Sequence, residues 1–258
     1  MAVVDSRRSR VPAFGPVKVP AFGPLASPNV KVIGIVAALF ATQAFVWLGT
    51  VVVTNTNGSS PILPGSWSGY SNQMLFYLIT MLFSMILIGY TTDLSLVPKY
   101  KDVSRFLINY GLWTFVSWLA LSLIYPGGPG VAALTGTDRI QTLVFISLFI
   151  APAEELLFRV VLPRLLNSWI LGSVVLFSGY HFAAYLVSYS SESLIVVATG
   201  LIEVAILGVV LWFIYSFVFR VKTRSGAVVA INSGYGGSTG FHAAWDLFVS
   251  GVLPGLPI

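Results

Sequence analysis

The chain has 258 residues, of which 56% are hydrophobic and only 9% charged, and its mean hydropathy is +0.87. Soluble domains carry about 25% charged residues, so this chain could not clothe a globule of its own size in polar surface, and the same figures exclude a disordered one. The absence of cysteine removes a disulfide framework, a thiolate metal site and a cysteine nucleophile, and the net charge of +5 is read against a lipid surface, with no nucleic acid as partner.

The first 31 residues form a basic, proline-rich tail in which residues 11–16 (Val-Pro-Ala-Phe-Gly-Pro) recur at 19–24. A proline every few positions forbids a helix, so an extended cytoplasmic tether is expected. Arg7 and Arg8 resemble the start of a twin-arginine signal, but the apolar run that follows is too distant and too long, and the segment is read as uncleaved. A helix needs about 20 apolar residues to cross a hydrocarbon core of roughly 30 Å. Seven runs qualify, at 32–54, 74–90, 106–125, 140–166, 169–187, 194–219 and 227–253. None alternates as barrel strands do. The expected fold is therefore all-α: a polytopic transmembrane helix bundle of about seven spans, forming one domain over residues 32–258.

Lysine and arginine orient it. Arg7, Arg8, Arg10, Lys18 and Lys31 precede the first run, Lys99, Lys101 and Arg105 follow the second, Arg164 ends the fourth, and Arg220, Lys222 and Arg224 follow the sixth. Every second connection is basic and the opposite side holds only Arg139, which puts the amino terminus in the cytoplasm.

Seven residues inside the runs are ones that lipid tolerates poorly: Glu154, Glu155, Arg159, His181, Glu203, His242 and Asp246. Charge at mid-bilayer costs from about 3 to more than 10 kcal/mol, so such groups are paired, wet or functional. Glu155 and Arg159 share a helix face in the favourable order and neutralise one another. Glu154 is turned about 100° from Glu155 and faces a different cavity. Desolvated and without an assigned cation, it is placed to accept a proton as a general base. His181 follows Phe177 by four and Asp246 follows His242 by four, so each pair shares one face. Counted from the basic side, Glu154, His181 and His242 all lie about 18–23 Å along their helices, close enough in depth to meet across the bundle. Pro152 is expected to disturb the helix where the carboxylates begin, and the glycines among residues 234–240 to admit a close neighbour or to depart from helix. Glu203 belongs to no motif and reads as a hydrogen-bonded acid or as part of a proton relay.

Taken together, Glu154-Glu155-x-x-x-Arg159, Phe177-x-x-x-His181 and His242-x-x-x-Asp246 resemble the CAAX protease and bacteriocin-processing family of intramembrane glutamate proteases, which includes prenyl endopeptidases. The three motifs stand in the family's order, each in its own apolar run, over residues 140–250. The resemblance implies an endopeptidase in a prokaryotic plasma membrane, its site open to the cytoplasm and its substrate a membrane-embedded, hydrophobic or prenylated peptide. By position, Glu154 and His181 would activate the attacking water, His242 and Asp246 would form the oxyanion side, and Glu155 with Arg159 would hold the motif in place. The family often has eight spans and shows asparagine or aspartate at the last position. An ionised aspartate cannot donate to an oxyanion, so Asp246 must be protonated or must orient His242 as a donating imidazolium.

Other intramembrane proteases leave signatures that this chain lacks: His-Glu-x-x-His, Gly-x-Ser-Gly and Gly-x-Gly-Asp. A retinal protein is excluded because no lysine lies within a run. Two alternatives stand: a zinc hydrolase with Glu154, His181 and His242 as ligands, although no cofactor is required by the glutamate mechanism, and a non-catalytic immunity or binding protein, or a transporter, using the same polar core.

Overall fold

The computed structural model describes residues 79, 82, 100–128, 136–182, 194–222, 228–253 and 255. The basic tail, the first run and, apart from two helical residues, the second lie outside this set. Two of the described helices are long and apolar enough to cross a membrane. The first, α1 (Tyr100–Ile124), realises the third run. The second, α6 (Leu194–Ser216), realises the sixth and stops three residues short of the expected end. Both show lipid-ready flanks: Leu107, Ile108, Phe115 and Leu123 on α1, and Ile195, Ile202, Ile206 and Phe213 on α6, are all exposed.

The fourth run is one continuous rod built from alternating turns. Helix α2 (Gly136–Phe145) passes through a π-helical segment π1 (Ile146–Ile150) into α3 (Ala151–Glu155), then π2 (Leu156–Val161) and α4 (Leu162–Leu165). The junction residues Phe145, Ile150, Glu155 and Val161 all keep right-handed helical dihedrals, so the rod does not break. Each π segment closes with a wide bond, from the Ala151 N–H to the Ile146 carbonyl and from the Leu162 N–H to the Leu157 carbonyl. Both precede a proline, Pro152 and Pro163. A proline ring collides with the carbonyl four residues back, and a widened turn is one way to move that carbonyl aside. The disturbance expected at Pro152 is thus accompanied by a wide turn just before it.

The rod stops through Asn167, whose φ of 47° is a left-handed value that asparagine accepts more readily than most residues. The Ser168 and Asn167 amides reach back to the Pro163 and Arg164 carbonyls at 3.1 and 3.4 Å, which closes a Schellman motif. Ser168 Oγ then accepts the Leu171 amide at 3.2 Å, starting the next helix at once. This helix comprises π3 (Leu171–Val175) and α5 (Leu176–Tyr180). The rest of the fifth run, beyond residue 182, lies outside the described set.

The seventh run differs from its expectation at its start. Residues 218–222 and 228–232 form an antiparallel hairpin, β1 (Val218–Lys222) with β2 (Val228–Asn232), and helix α7 (Gly234–Val249) begins only after it. Apart from this hairpin the described fold is helical. Runs of β-branched residues such as Val228–Asn232 serve either state, and hydropathy alone does not separate them.

Two cores hold the bundle. Leu157, Phe158, Val161, Leu162, Phe177, Tyr180 and Leu211 pack where the rod, α5 and α6 meet. Ile146, Ala151, Ala243, Leu247 and Val252 pack the rod against α7. Helix α7 lies most extensively on α1, and its glycines permit this. A Cβ at Gly236 would lie 2.6 Å from the Phe106 carbonyl oxygen, and one at Gly240 would run into the Tyr110 backbone. Thr114 Oγ1 donates across the same seam to the Gly240 carbonyl at 3.1 Å. From Tyr235 onward the glycine-rich stretch is therefore helix in close backbone contact, the first of the two expectations for it, while Gly234 itself takes a left-handed φ of 52°.

Candidate functional site

Successive helical residues diverge by about 100°, and Glu154 and Glu155 use that divergence to engage different partners. Both are buried in α3, with relative exposures of 1% and 0%. Glu155 Oε2 lies 3.2 Å from Arg159 Nε, the expected pairing one turn on. Arg159, itself 1% exposed, is held from two more directions. Its Nη1 donates to the Ser173 carbonyl at 3.2 Å, and its guanidinium lies over the Phe177 ring, 4.3 Å from the centroid. Ser173 in turn donates through Oγ to the Phe158 carbonyl at 2.6 Å. Gly208 of α6 allows this approach, because a Cβ there would stand 2.5 Å from the Ser173 carbonyl oxygen.

Glu155 has a second function that motif spacing did not reveal. Its Oε1 accepts Nδ1–H of His242 at 2.9 Å. The imidazole of α7 is thereby fixed, and its other nitrogen, Nε2, points toward Glu154 Oε2 at 3.7 Å and Asp246 Oδ2 at 3.5 Å. Of the two roles open to Asp246, the orienting bond at Nδ1 is occupied by Glu155, and Asp246 stands at the working nitrogen.

His181 is set by the end of its helix. Tyr180 is the last residue of α5, and the final carbonyls there lack backbone donors in the usual pattern. The His181 side chain supplies one: Nδ1–H donates to the Phe177 carbonyl at 2.8 Å. This is the physical content of the Phe177-x-x-x-His181 spacing. Nε2 is left facing Glu154 Oε2 at 3.6 Å. The Phe177 ring packs edge-on against both imidazoles, with centroid separations of 4.9 Å to His181 and 5.8 Å to His242.

Glu154 is thus approached from two sides by imidazole Nε2 atoms, while neither of its oxygens has a hydrogen-bond partner among the described residues. Access differs around the cluster. The side chains of His181 and Asp246 are 21% and 24% exposed, whereas those of Glu154 and His242 are 1% and 3% exposed. His181 and Asp246 are therefore the members of the cluster that reach the surface.

Six of the seven polar residues singled out within the apolar runs are brought together. Glu203 is the exception: it is exposed on α6, away from the buried row of Val197, Gly200, Val204, Gly208 and Leu211. Sequence reasoning missed Ser173, Gly208 and Tyr235. Tyr235 donates its hydroxyl to the Pro152 carbonyl at 2.8 Å, two residues before Glu154. Its position at the start of the glycine-rich stretch was the available signal. For the zinc alternative, the described residues contain no group of three or more histidine, aspartate or glutamate side chains arranged to hold a metal ion. No family model matches the chain, and no curated protein or solved structure matches it.

Proposed function

We propose that the chain is an intramembrane endopeptidase of the glutamate type, hydrolysing a peptide bond of a membrane-embedded or otherwise hydrophobic substrate. In this reading the protein is a bundle of about seven spans in a prokaryotic plasma membrane, with a cytoplasmic amino terminus and a site reached from the cytoplasm. The observation that carries it is the convergence on Glu154: a buried, otherwise unpartnered carboxylate faced by two histidines, each held at Nδ1 by a dedicated acceptor. An unsatisfied buried carboxylate is costly, and such costs are retained where the group does work.

The chemistry follows from the orientation of the side chains. Peptide hydrolysis needs a base for water, a donor for the developing oxyanion and a proton for the leaving nitrogen. Glu154 takes the proton from a water held between it and His181 Nε2, and the hydroxide attacks the scissile carbonyl. His242, with Glu155 accepting at Nδ1, serves as an imidazolium whose Nε2–H donates to the oxyanion, and Asp246 steadies that charge. The proton on Glu154 then passes to the leaving amine. Arg159 keeps Glu155 ionised and fixed in place, and so acts through another residue rather than on the substrate.

The test is cleavage of a quenched, membrane-anchored peptide by purified wild type and Glu154→Gln. The variant is expected to lose at least 1,000-fold in rate while remaining folded. Equal rates end the proposal. The zinc reading uses Glu154, His181 and His242 as its donor set, with both imidazoles offering Nε2 while Nδ1 is engaged elsewhere, as metal-bound histidines do. Activity lost on chelation and restored by zinc would select it over the metal-free mechanism.

A further inference from the structure

Strand β2 runs through Ser233 into α7, the helix that carries His242, and the phase of its ladder follows from a single bond. The Ser233 amide donates to the Phe217 carbonyl at 2.9 Å. The adjacent pair, Val218 with Asn232, is then of the non-hydrogen-bonded kind, with its amides and carbonyls turned away from the partner strand. With a period of two, the same holds for Ala230 and Val228. An independent contact agrees: the outward carbonyl of Asn232 accepts Nδ2 of Asn109 in α1 at 3.0 Å. The outer edge of β2 therefore faces α1, and among the described residues no third strand pairs with it.

Where that edge ends, between α1 and the start of α7, lies a cavity of about 470 Å³, lined by Val103, Arg105, Phe106 and Asn109 on one side and by Asn232–Gly236 on the other. Its walls are mainly apolar, and Arg105 is exposed. Tyr235 links the cavity to the carboxylates, since its ring stacks on Phe106 at 5.3 Å while its hydroxyl holds the Pro152 carbonyl.

We propose that the outer edge of β2, together with this cavity, receives the peptide substrate as an added strand. The proposal rests on the endopeptidase reading and deepens it. The occupant is a polypeptide backbone because, short of the Asn232 carbonyl that Asn109 already takes, the edge turns the amides and carbonyls of Val228 and Ala230 outward, a pattern that a lipid chain does not complement and an extended peptide does. One apolar side chain enters the cavity, and Arg105 favours an acidic residue beside it. His242 lies just over two turns into α7, about 12 Å of rise from Gly234. An extended chain covers that distance in about four residues, so the paired stretch lies about four positions from the scissile bond.

Ala230→Pro is the direct test. It deletes an outward N–H that the ladder with β1 does not use, a position where an edge strand accepts proline. The expected result, on the same quenched peptide, is a five- to tenfold rise in KM with kcat little changed. N-methylation of alternate backbone amides of that peptide should reproduce the rise with wild-type protein, where folding is not in question. Separately, a photo-crosslinker at position 228 of Glu154→Gln should capture the peptide. Cleavage by wild type with unchanged KM for both Ala230→Pro and the N-methylated peptides, and with no capture, overturns the strand proposal and leaves the protease reading intact. Capture without cleavage by wild type keeps the edge as a peptide site and ends the protease reading. Absence of both capture and cleavage overturns the two together.

Discussion

Helices α1 and α6 are long and regular, and they expose apolar rows along one flank. The rod of residues 136–165 and the helix ending at Tyr180 instead alternate between α and π turns, and the rod buries Glu154, Glu155 and Arg159. Both sets are strongly hydrophobic, so composition does not separate them. What differs is the use made of the backbone. A regular helix satisfies its own amides and asks only for an apolar surround. The rod instead widens its turns on either side of the segment that carries the two carboxylates, and π turns recur at functional sites. Stability in the first set should therefore be spread thinly over many side chains, and in the second concentrated in a few.

That contrast is open to direct attack. The largest effect is expected for Arg159→Ala, which strands Glu155 in a buried setting without its cation. Breaking a buried pair costs about 3–5 kcal/mol, so the variant should accumulate poorly, melt early by tryptophan fluorescence in detergent and lose activity. Normal yield with full activity would show that the ion pair does not organise the site. Next comes Gly240→Ala, which forces a Cβ into the Tyr110 backbone. Overpacking of this kind costs about 1–3 kcal/mol, read as a lower Tm, with activity falling because α7 carries His242. Ser173→Ala should cost about 1 kcal/mol, the worth of one hydrogen bond, with a modest loss of kcat as Arg159 loosens. Smallest of all, Leu107→Ala on the exposed flank of α1 should stay within about 0.5 kcal/mol of wild type. If Leu107→Ala proves as damaging as Gly240→Ala, the distinction between the two kinds of helix fails.

The same contrast explains what could be read from the sequence. Membrane character and the third and sixth runs were legible because hydropathy reports lipid-facing length. The grouping of Glu154, His181, His242 and Asp246 was legible because charged residues are so rare in these runs that spacing and depth alone bring them together. The Glu155–Arg159 pair followed from the four-residue repeat of a helix. By contrast, the bond from His242 to Glu155 was not legible, because it joins residues 87 apart and depends on the angle at which α7 crosses the rod. The hairpin before α7 was hidden by β-branched residues that suit either a span or a strand. Glu203 illustrates the opposite hazard: position in an apolar run made it a candidate, yet it lies on the exposed flank of α6.

The π turns carry a consequence for the chain as an inherited object. A π turn holds one residue more than the α turn it replaces, so it is a one-residue insertion absorbed without putting the flanking turns out of phase. Deleting a residue from an ordinary stretch of helix swings everything beyond it by about 100°. Deleting one from Leu171–Val175, where no proline follows, should instead restore plain α-helix and leave His181 on its present bearing. The two segments of the rod lack that freedom, because shortening either one returns a proline ring to the carbonyl it now avoids. Length variation should thus be tolerated before the first histidine and refused around the two glutamates.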